Sequence, residues 1–346
     1  MDGQRGGAQI HHSGATGLSA EALRIRFVVE TGQAAGMGHL MRCCSVAAEL
    51  RRLVSCSCHF AAPAYEHARS FLAATGDAGC IAPAEAGEPY AITVIDVSDP
   101  ATVDEDTLRS ASQLLAWIED EPRAHGASDV VFQPNVLDVP GTGSEAAFYS
   151  GAEFLILHPA YKSGRIARLR RHVKRVLLCF GGSDPENLSA RIVRLLPELE
   201  FTGEYRLALG PCYPAGEFER ISATRPRNLT LLRDLAPLAH EMSACDMAIL
   251  SGGTLLYEAC ASGRPAIIIS QNESQAREAS VFGARNAVIH LGQSDSVADS
   301  EILRAARRLL GNSDERKRLG KFAAALVPRD GAGHVAERLM YHYNSL

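Results

Sequence analysis

The sequence predicts an α/β protein made of two doubly wound domains, each with a parallel sheet, and a cleft between them. Short apolar runs alternate with stretches of helical periodicity along the chain, which is the pattern of a parallel sheet wound with helices. A chain of 346 residues is long for one hydrophobic core. Glycine-bearing turns follow three of the apolar runs, as is typical of ligand sites in such sheets.

The first half of the chain contains six apolar runs that we predict to be strands. Each is followed by Gly, Pro, Asp or Ser and then by a more polar stretch. We assign residues 23–160 to the first domain. Residues 1–22 lack the apolar region of a signal peptide and are predicted to be a disordered leader. The six runs are residues 25–30, 58–61, 91–96, 114–118, 130–132 and 153–157.

The second half repeats this organisation after a basic stretch. Residues 161–175 are crowded with Lys and Arg and are predicted to connect the domains, although a solvated helix face explains them equally well. We assign residues 176–332 to the second domain and residues 333–346 to a helix that packs back across the connection. The predicted strands are residues 175–180, 205–209, 229–232, 247–250, 266–269 and 287–290.

Composition excludes several classes of function. A net charge of −5 argues against a nucleic-acid-binding protein held by phosphate contacts. No apolar run is long enough to span a membrane. The nine cysteines form no Cys-x-x-Cys pair, so we expect reduced thiols, a cytoplasmic protein and no metal site. No cofactor-binding motif such as Gly-x-Gly-x-x-Gly is present, and no cofactor is predicted.

Three glycine-bearing turns fall at the carboxyl ends of predicted strands, where doubly wound sheets bind ligands. The first places His39 at the start of a helix, where backbone N–H groups are unpaired. The turns are Gly36-Met37-Gly38-His39, Phe180-Gly181-Gly182-Ser183 and Ser251-Gly252-Gly253-Thr254.

The third turn carries the strongest signal for a ligand. Its glycines allow close approach to the backbone, Thr254 can cap the helix that follows, and the helix N-terminus suits a diphosphate. Glu258 projects from the same face as Thr254 and can accept two hydrogen bonds from a ribose. Ordinary turn chemistry and a solvated helix glutamate explain the same residues, since short glycine motifs have many false positives.

Taken together, the motifs resemble those of GT-B nucleotide-sugar enzymes. They read Gly-x-Gly-His-x-x-Arg, Gly-Gly-Ser-Asp-Pro-x-Asn-Leu and Ser-Gly-Gly-Thr-Leu-x-Tyr-Glu-Ala, in order between residues 25 and about 290. The chain is most similar to the UDP-sugar hydrolases of the pseudaminic acid pathway, which release UDP from a 2,4-diacetamido-trideoxyhexose. A broader relative is the UDP-N-acetylglucosamine transferase of peptidoglycan synthesis.

The resemblance implies a role for each motif. It makes His39 the base and Glu258 the ribose contact, with the diphosphate on the third turn and Gln275 near the sugar hydroxyls. Asp96 matches a catalytic position, although a strand-end residue that caps a turn is an equal explanation. The predicted site has His39 and Asp96 as catalytic residues, no metal ligand, and Gly36, Gly38, Gly181, Gly182, Ser251, Gly252, Gly253, Thr254, Glu258, Asn272 and Gln275 around a UDP-sugar.

The chain departs from the hydrolases at two places. It reads Asp96-Val97-Ser98 where they have Asp-His-Tyr, and His158 replaces an arginine. An acidic pair, Glu119-Asp120, is kept. Our main hypothesis is a hydrolase in which water attacks the anomeric carbon. The alternative is an inverting glycosyltransferase for surface polysaccharide or glycan synthesis, in which His39 deprotonates an acceptor. A silent nucleotide-sugar-binding protein is a third, which retention of His39 and Glu258 disfavours.

Overall fold

The computed structural model describes residues 22–31, 37–61, 66–74, 89–120, 126–137, 145–163, 168–233 and 238–346. Two six-stranded sheets organise these residues, and every pair of neighbouring strands is parallel. The predicted architecture of two doubly wound α/β domains is therefore confirmed. Residues 1–21 of the predicted leader, and Gly36, lie outside the described residues.

In the described part of the first domain, six strands alternate with helices. They are β1 (Leu23–Val29), α1 (Gly38–Leu53), β2 (Cys56–Ala61), α2 (Glu66–Ala74), β3 (Tyr90–Asp96), α3 (Glu105–Ser110), β4 (Ser112–Ile118), β5 (Val130–Gln133) and β6 (Ala147–Ser150). The strand order is β2-β1-β3-β4-β5-β6. Connections leave β1 and β3 in opposite directions, so a crevice opens at the carboxyl ends of these two strands.

Burial explains why these segments form strands and a covering helix. Every residue of β3 is buried, because a central parallel strand has helices on both faces. The helix α1 presents Leu40, Val46 and Leu50 to the sheet at helical spacing, and all three are fully buried.

One predicted strand, residues 153–157, is wrong. The structure has a short 3-10 turn there, followed by extended chain that pairs with no strand among the described residues. Phe154 and Ile156 pack into the core of the first domain. Leu155 and Leu157 pack into the core of the second domain. Successive side chains of this run are buried in two different cores, which makes the run continuously apolar, like a strand buried on both faces.

A short helix joins the domains, and the second domain follows. The elements are α4 (Pro159–Ser163), β7 (Arg175–Cys179), α5 (Leu188–Leu195), β8 (Glu204–Leu209), α6 (Ala215–Thr224), β9 (Leu229–Arg233), α7 (Ala239–Ala244), β10 (Met247–Leu250), α8 (Thr254–Ala261), β11 (Ala266–Ser270), α9 (Glu273–Ala284), β12 (Ile289–Gln293), α10 (Asp299–Gly311) and α11 (Ser313–Leu326). The strand order is β12-β11-β10-β7-β8-β9. A second crevice therefore opens at the carboxyl ends of β7 and β10.

The last helix, α12 (Gly331–Tyr343), returns to the first domain and packs beside α1. Val335 and Leu339 are fully buried in the same core as α1. At its start, a Cβ on Gly331 would lie 2.1 Å from the carbonyl oxygen of Leu155, so this close approach requires glycine. Among the helices described here, none has the length and apolar character needed to cross a lipid bilayer.

Candidate functional site

The crevice of the first sheet brings His39 and Asp96 together. His39 lies in the first turn of α1, and Asp96 is the fully buried last residue of β3. The Nδ1 atom of His39 is 2.6 Å from Oδ1 of Asp96. Since an ionised carboxylate only accepts hydrogen bonds, we assign the hydrogen to Nδ1, which leaves the lone pair on Nε2. The two predicted catalytic residues thus form one hydrogen-bonded pair.

Arg42 completes this cluster from the next turn of α1. Its Nε donates to Oδ2 of Asp96 at 3.0 Å, and its Nη2 donates to Oδ1 at 2.6 Å. The same guanidinium forms an ion pair with Asp120, including a hydrogen bond from Nη2 to Oδ2 at 3.2 Å. Arg42 was not among the residues predicted to act in the site. The signal was its position three residues after His39, which puts both side chains on one helix face.

The cluster sets the protonation states of its members. Burial lowers the pKa of His39, but the charge and hydrogen bond of Asp96 raise it, and the pKa lies above its usual value. Burial raises the pKa of Asp96, but Arg42 and His39 bring it below the usual range. Asp96 is therefore the ionised partner, and His39 is a stronger base than a free imidazole.

Ser98 lies beside the other ring nitrogen of His39. Its Oγ is 3.1 Å from Nε2, so a hydrogen-bonded chain runs from the buried Asp96 through His39 to an exposed serine. The backbone N–H of Ser98 donates to Oε2 of Glu30 at 2.8 Å. Sequence reasoning treated Ser98 only as a departure from a family pattern, and its contact with the histidine is visible only in the fold.

The crevice of the second sheet brings the other two glycine-bearing turns side by side. Gly181 follows β7 with a φ of 91°, which glycine adopts readily. A Cβ on Gly181 would lie 4.0 Å from Oγ of Ser251, which follows β10. Gly182 is approached closely as well, since a Cβ on Gly210 would lie 2.4 Å from its Cα.

The turn before α8 leaves the N-terminus of that helix open. Gly253, with a φ of 71°, precedes the helix, and no described side chain accepts a hydrogen bond there. The prediction that Thr254 caps the helix is wrong, because Thr254 is already its first residue. A Cβ on Gly252 would lie 2.7 Å from Cβ of Gln275. The free N–H groups and the dipole of this helix end suit an anionic group.

Glu258, in the second turn of α8, is 3% exposed. Its Oε2 has no hydrogen-bond partner among the described residues. Burial raises the pKa of Glu258 to about 7, and the hydroxyl of Tyr161 in α4 acts in the opposite direction. The hydroxyl of Tyr161 is likewise buried without a hydrogen bond of normal length within the described part of the chain. Buried polar atoms without partners are rare and mark places where a ligand can supply them.

Asn272 and Gln275 have partners within their own turn. Oδ1 of Asn272 accepts from the backbone N–H of Gln275 at 2.9 Å and caps α9. Oε1 of Gln275 accepts from the backbone N–H of Gln271 at 2.9 Å. Gln275 nevertheless packs against Gly252, so it lies beside the third turn. Contacts of both residues with a sugar remain predictions.

The hydroxyl of Tyr257, in α8, is influenced by charged groups of the first domain. Burial raises its pKa, Glu278 and Asp120 raise it further, and Arg42 lowers it. Tyr257 of the second domain therefore lies within electrostatic reach of the His39 cluster in the first. Within the described residues, no group of three or more His, Cys, Asp or Glu side chains is arranged to hold a metal ion.

Comparisons with known proteins add two relatives by sequence. No family model matches the chain. It is 29% identical over 188 residues to the spore coat polysaccharide biosynthesis protein SpsG of Bacillus subtilis (strain 168), covering 54% of this chain and 55% of SpsG. It is 28% identical over 171 residues to a UDP-N-acetylglucosamine–N-acetylmuramyl-(pentapeptide) pyrophosphoryl-undecaprenol N-acetylglucosamine transferase of Rubrobacter xylanophilus, covering 48% of this chain and 49% of the transferase. The chain thus matches about half the length of these relatives.

Comparison with solved structures supports the fold described above. The crystal structure of Acinetobacter baumannii MurG superimposes with a TM-score of 0.66 at 15% sequence identity, and the match covers 93% of this chain and 100% of that one. With two parallel six-stranded sheets among its described residues and this structural match, the protein has the GT-B fold. The predicted fold class is confirmed.

Proposed function

We propose that this protein is a GT-B glycosyltransferase that moves a sugar from a UDP donor to an acceptor hydroxyl in polysaccharide or glycan synthesis. One observation carries the proposal: His39 and Asp96 form a hydrogen-bonded pair at the carboxyl end of the first sheet, and α8, which begins at the carboxyl end of the second sheet, has no capping side chain among the described residues. One relative is named for polysaccharide biosynthesis and another for transfer of N-acetylglucosamine from UDP, which supports transfer of a sugar.

The proposed reaction needs one base and one leaving-group site. Neutral His39 accepts the proton of the acceptor hydroxyl as its oxygen attacks the anomeric carbon. The bond from that carbon to the diphosphate breaks, and UDP leaves with the electron pair and with inversion at the carbon. Ionised Asp96 stabilises the imidazolium that forms, and Arg42 holds Asp96 in place.

The second domain supplies the donor site in this proposal. The diphosphate lies against the turns at Gly181 and Gly253, where the N-terminus of α8 stabilises the developing charge on UDP. Oε2 of Glu258, which is buried without a hydrogen-bond partner among the described residues, accepts hydrogen bonds from the ribose hydroxyls. Tyr257 of α8 lies within electrostatic reach of Arg42 and Asp120, which supports a base and a leaving group that share one cleft.

Hydrolysis, the main hypothesis from the sequence, uses the same groups with water as the nucleophile. The names of the relatives favour the transferase alternative. The experiment that separates them incubates the protein with a panel of UDP-sugars and measures released UDP, with and without hydroxyl acceptors. Rapid release without an acceptor would favour the hydrolase, whereas release that requires an acceptor supports the transferase. Release from no donor would refute both.

We expect full activity in EDTA, because the charge on UDP is stabilised by the helix N-terminus. Loss of activity in EDTA that magnesium or manganese restores would contradict this.

Replacing Glu258 with Ala is expected to weaken UDP binding roughly tenfold or more, because hydrogen bonds to a charged group contribute about 1.5–3 kcal/mol. Calorimetric titration with UDP measures the effect. Ionisation of Glu258 around pH 7 should make the affinity of the native protein rise from pH 6 to pH 8. Glu258→Gln should lose that part of the rise, which separates it from the titration of UDP itself.

The matched control is Glu219→Ala, which removes an exposed glutamate from α6 and should leave UDP affinity unchanged. Circular dichroism of both variants checks that the fold is intact. Native UDP affinity in a folded Glu258→Ala protein would contradict the ribose assignment.

A further inference from the structure

We propose that Ser98 is a catalytic residue that relays a proton. Its hydroxyl receives the proton of the attacking nucleophile and passes its own proton to His39. The proposal rests on the proposed function, in which His39 is the base. It adds a second group that touches the nucleophile, at a position where the sequence offered only a departure from a family pattern.

The geometry of the ring nitrogens carries the argument. Asp96 occupies Nδ1 of His39 at 2.6 Å, and Ser98 lies 3.1 Å from Nε2. With the hydrogen on Nδ1, Nε2 can only accept, so the hydroxyl of Ser98 donates to it. The lone pair that the base would use is therefore already engaged by a hydroxyl group. A nucleophile reaches His39 either by displacing Ser98 or by handing its proton to Ser98.

The exposure of the three side chains favours transfer of the nucleophile's proton to Ser98 over displacement of Ser98. The side chain of His39 is only 11% exposed, and the carboxylate of Asp96 behind it is fully buried. Ser98 is exposed. In this chain of three groups, the serine hydroxyl is the one that solvent and an incoming acceptor can reach.

Ser98 is also fixed in position from both sides. Its backbone N–H donates to Oε2 of Glu30 at 2.8 Å, and the backbone N–H of Glu30 donates to the carbonyl of Asp96 at 3.2 Å. On the other side, Asp99 caps the turn that follows by accepting from the N–H of Ala101 at 3.0 Å. A hydroxyl held by backbone contacts pays little entropy to stay aligned with His39.

The relay moves two protons in one step, and its atoms and charges balance. The proton of the acceptor hydroxyl moves to Oγ of Ser98 while the Ser98 proton moves to Nε2 of His39. The acceptor oxygen forms its bond to the anomeric carbon, and UDP departs with the electrons of the bond that breaks. Ser98 ends neutral, His39 ends as an imidazolium beside Asp96, and the imidazolium later loses its proton to solvent.

The test uses Ser98→Ala, Ser98→Thr and the control Ser110→Ala, whose hydroxyl donates to the carbonyl of Thr107 in α3. Single-turnover release of UDP from UDP-N-acetylglucosamine, or from the donor that the panel selects, isolates the chemical step from product release. We expect Ser98→Ala to lose roughly 10²-fold in rate with unchanged UDP affinity. Ser98→Thr keeps a hydroxyl and should retain most of the rate, as should the control.

Other outcomes overturn the relay. Native rates in Ser98→Ala together with a large loss in His39→Asn would refute the relay and leave the proposed function standing. Native rates in both variants would refute the proposed function as well. Equal losses in Ser98→Ala and Ser98→Thr would show that the position matters for packing and not for its hydroxyl.

A measurement on the native protein guards against variants that fail to fold. Rates in mixtures of H₂O and D₂O report how many protons move in the chemical step. Two protons in flight through Ser98 give a curved dependence on the deuterium fraction, whereas direct transfer to His39 gives a straight line. A straight line for the native protein would overturn the proposal.

Discussion

Replacing His39 with Asn is expected to lower the rate of UDP release by about 10²–10⁴-fold, the usual contribution of a general base. Asn is of similar size and still hydrogen-bonds to Asp96, but it has no nitrogen that accepts a proton near neutral pH. UDP affinity should barely change, because the proposed nucleotide contacts lie in the second domain. Steady-state rates and calorimetric titration with UDP measure the two quantities on the same preparation.

The pH profile of the native protein gives a second measure of the same group. His39 acts as a base only when neutral, so activity is lost as the pH falls and the ring becomes protonated. Its pKa lies above the usual 6.5 because Asp96 outweighs burial. The acid limb of the profile should therefore have its midpoint above 6.5 and flatten only on the alkaline side of neutrality. The Asn variant should lack this limb.

The control is His240→Asn, since the side chain of His240 is 87% exposed at the start of α7. It should keep the native rate and the native pH profile. If His39→Asn turned over its donor at the native rate, His39 would be only the first-turn residue of a helix. Asp96 and Glu119 would then be the next candidates for the base.

The fold was largely predictable because its central strands are buried on both faces. A strand such as β3 reads as a continuous apolar run, and flanking turn residues mark its ends. The edge strand β6 was missed, since all of its residues are only half-buried and its pattern is weak. Residues 153–157 were mistaken for a strand because burial against two cores gives the same continuous apolar run as a strand buried on both faces.

The site was predictable only as far as motifs and strand ends reveal it. His39 and Asp96 were each identified, but their contact joins residues 57 positions apart and follows from the strand order of the first sheet. Arg42 was missed for a similar reason: its partners Asp96 and Asp120 are 54 and 78 positions away. Its place in the Gly-x-Gly-His-x-x-Arg motif, on the helix face of His39, is a local signal, but its two acidic partners follow only from the fold.

The other large expected effect is a loss of folding stability when Arg42 is replaced. Replacing it with Met should lower the free energy of unfolding at pH 7 by about 3–5 kcal/mol, because removing one partner of a buried ion pair leaves the other charge uncompensated. The exposed fraction of the Asp96 side chain is zero, and that of Arg42 is 12%. Urea denaturation at pH 7 measures the loss. Arg42→Lys keeps the charge without the two-pronged contact and should fall between Met and the native protein.

The pH dependence of this stability loss, together with a double variant, shows whether the uncompensated charge of Asp96 causes it. The pKa of Asp96 is lowered in the folded state, so its stabilising contribution is present above the unfolded value of 3.8 and is lost as pH falls through the folded value. The difference between native and Arg42→Met should therefore shrink in acid. Adding Asp96→Asn to Arg42→Met removes the uncompensated charge and should recover part of the stability, a coupling that independent sites would not show. Native stability of Arg42→Met at pH 7 would mean that the ion pairs with Asp96 and Asp120 do not hold this cluster, and that His39 is oriented by packing alone.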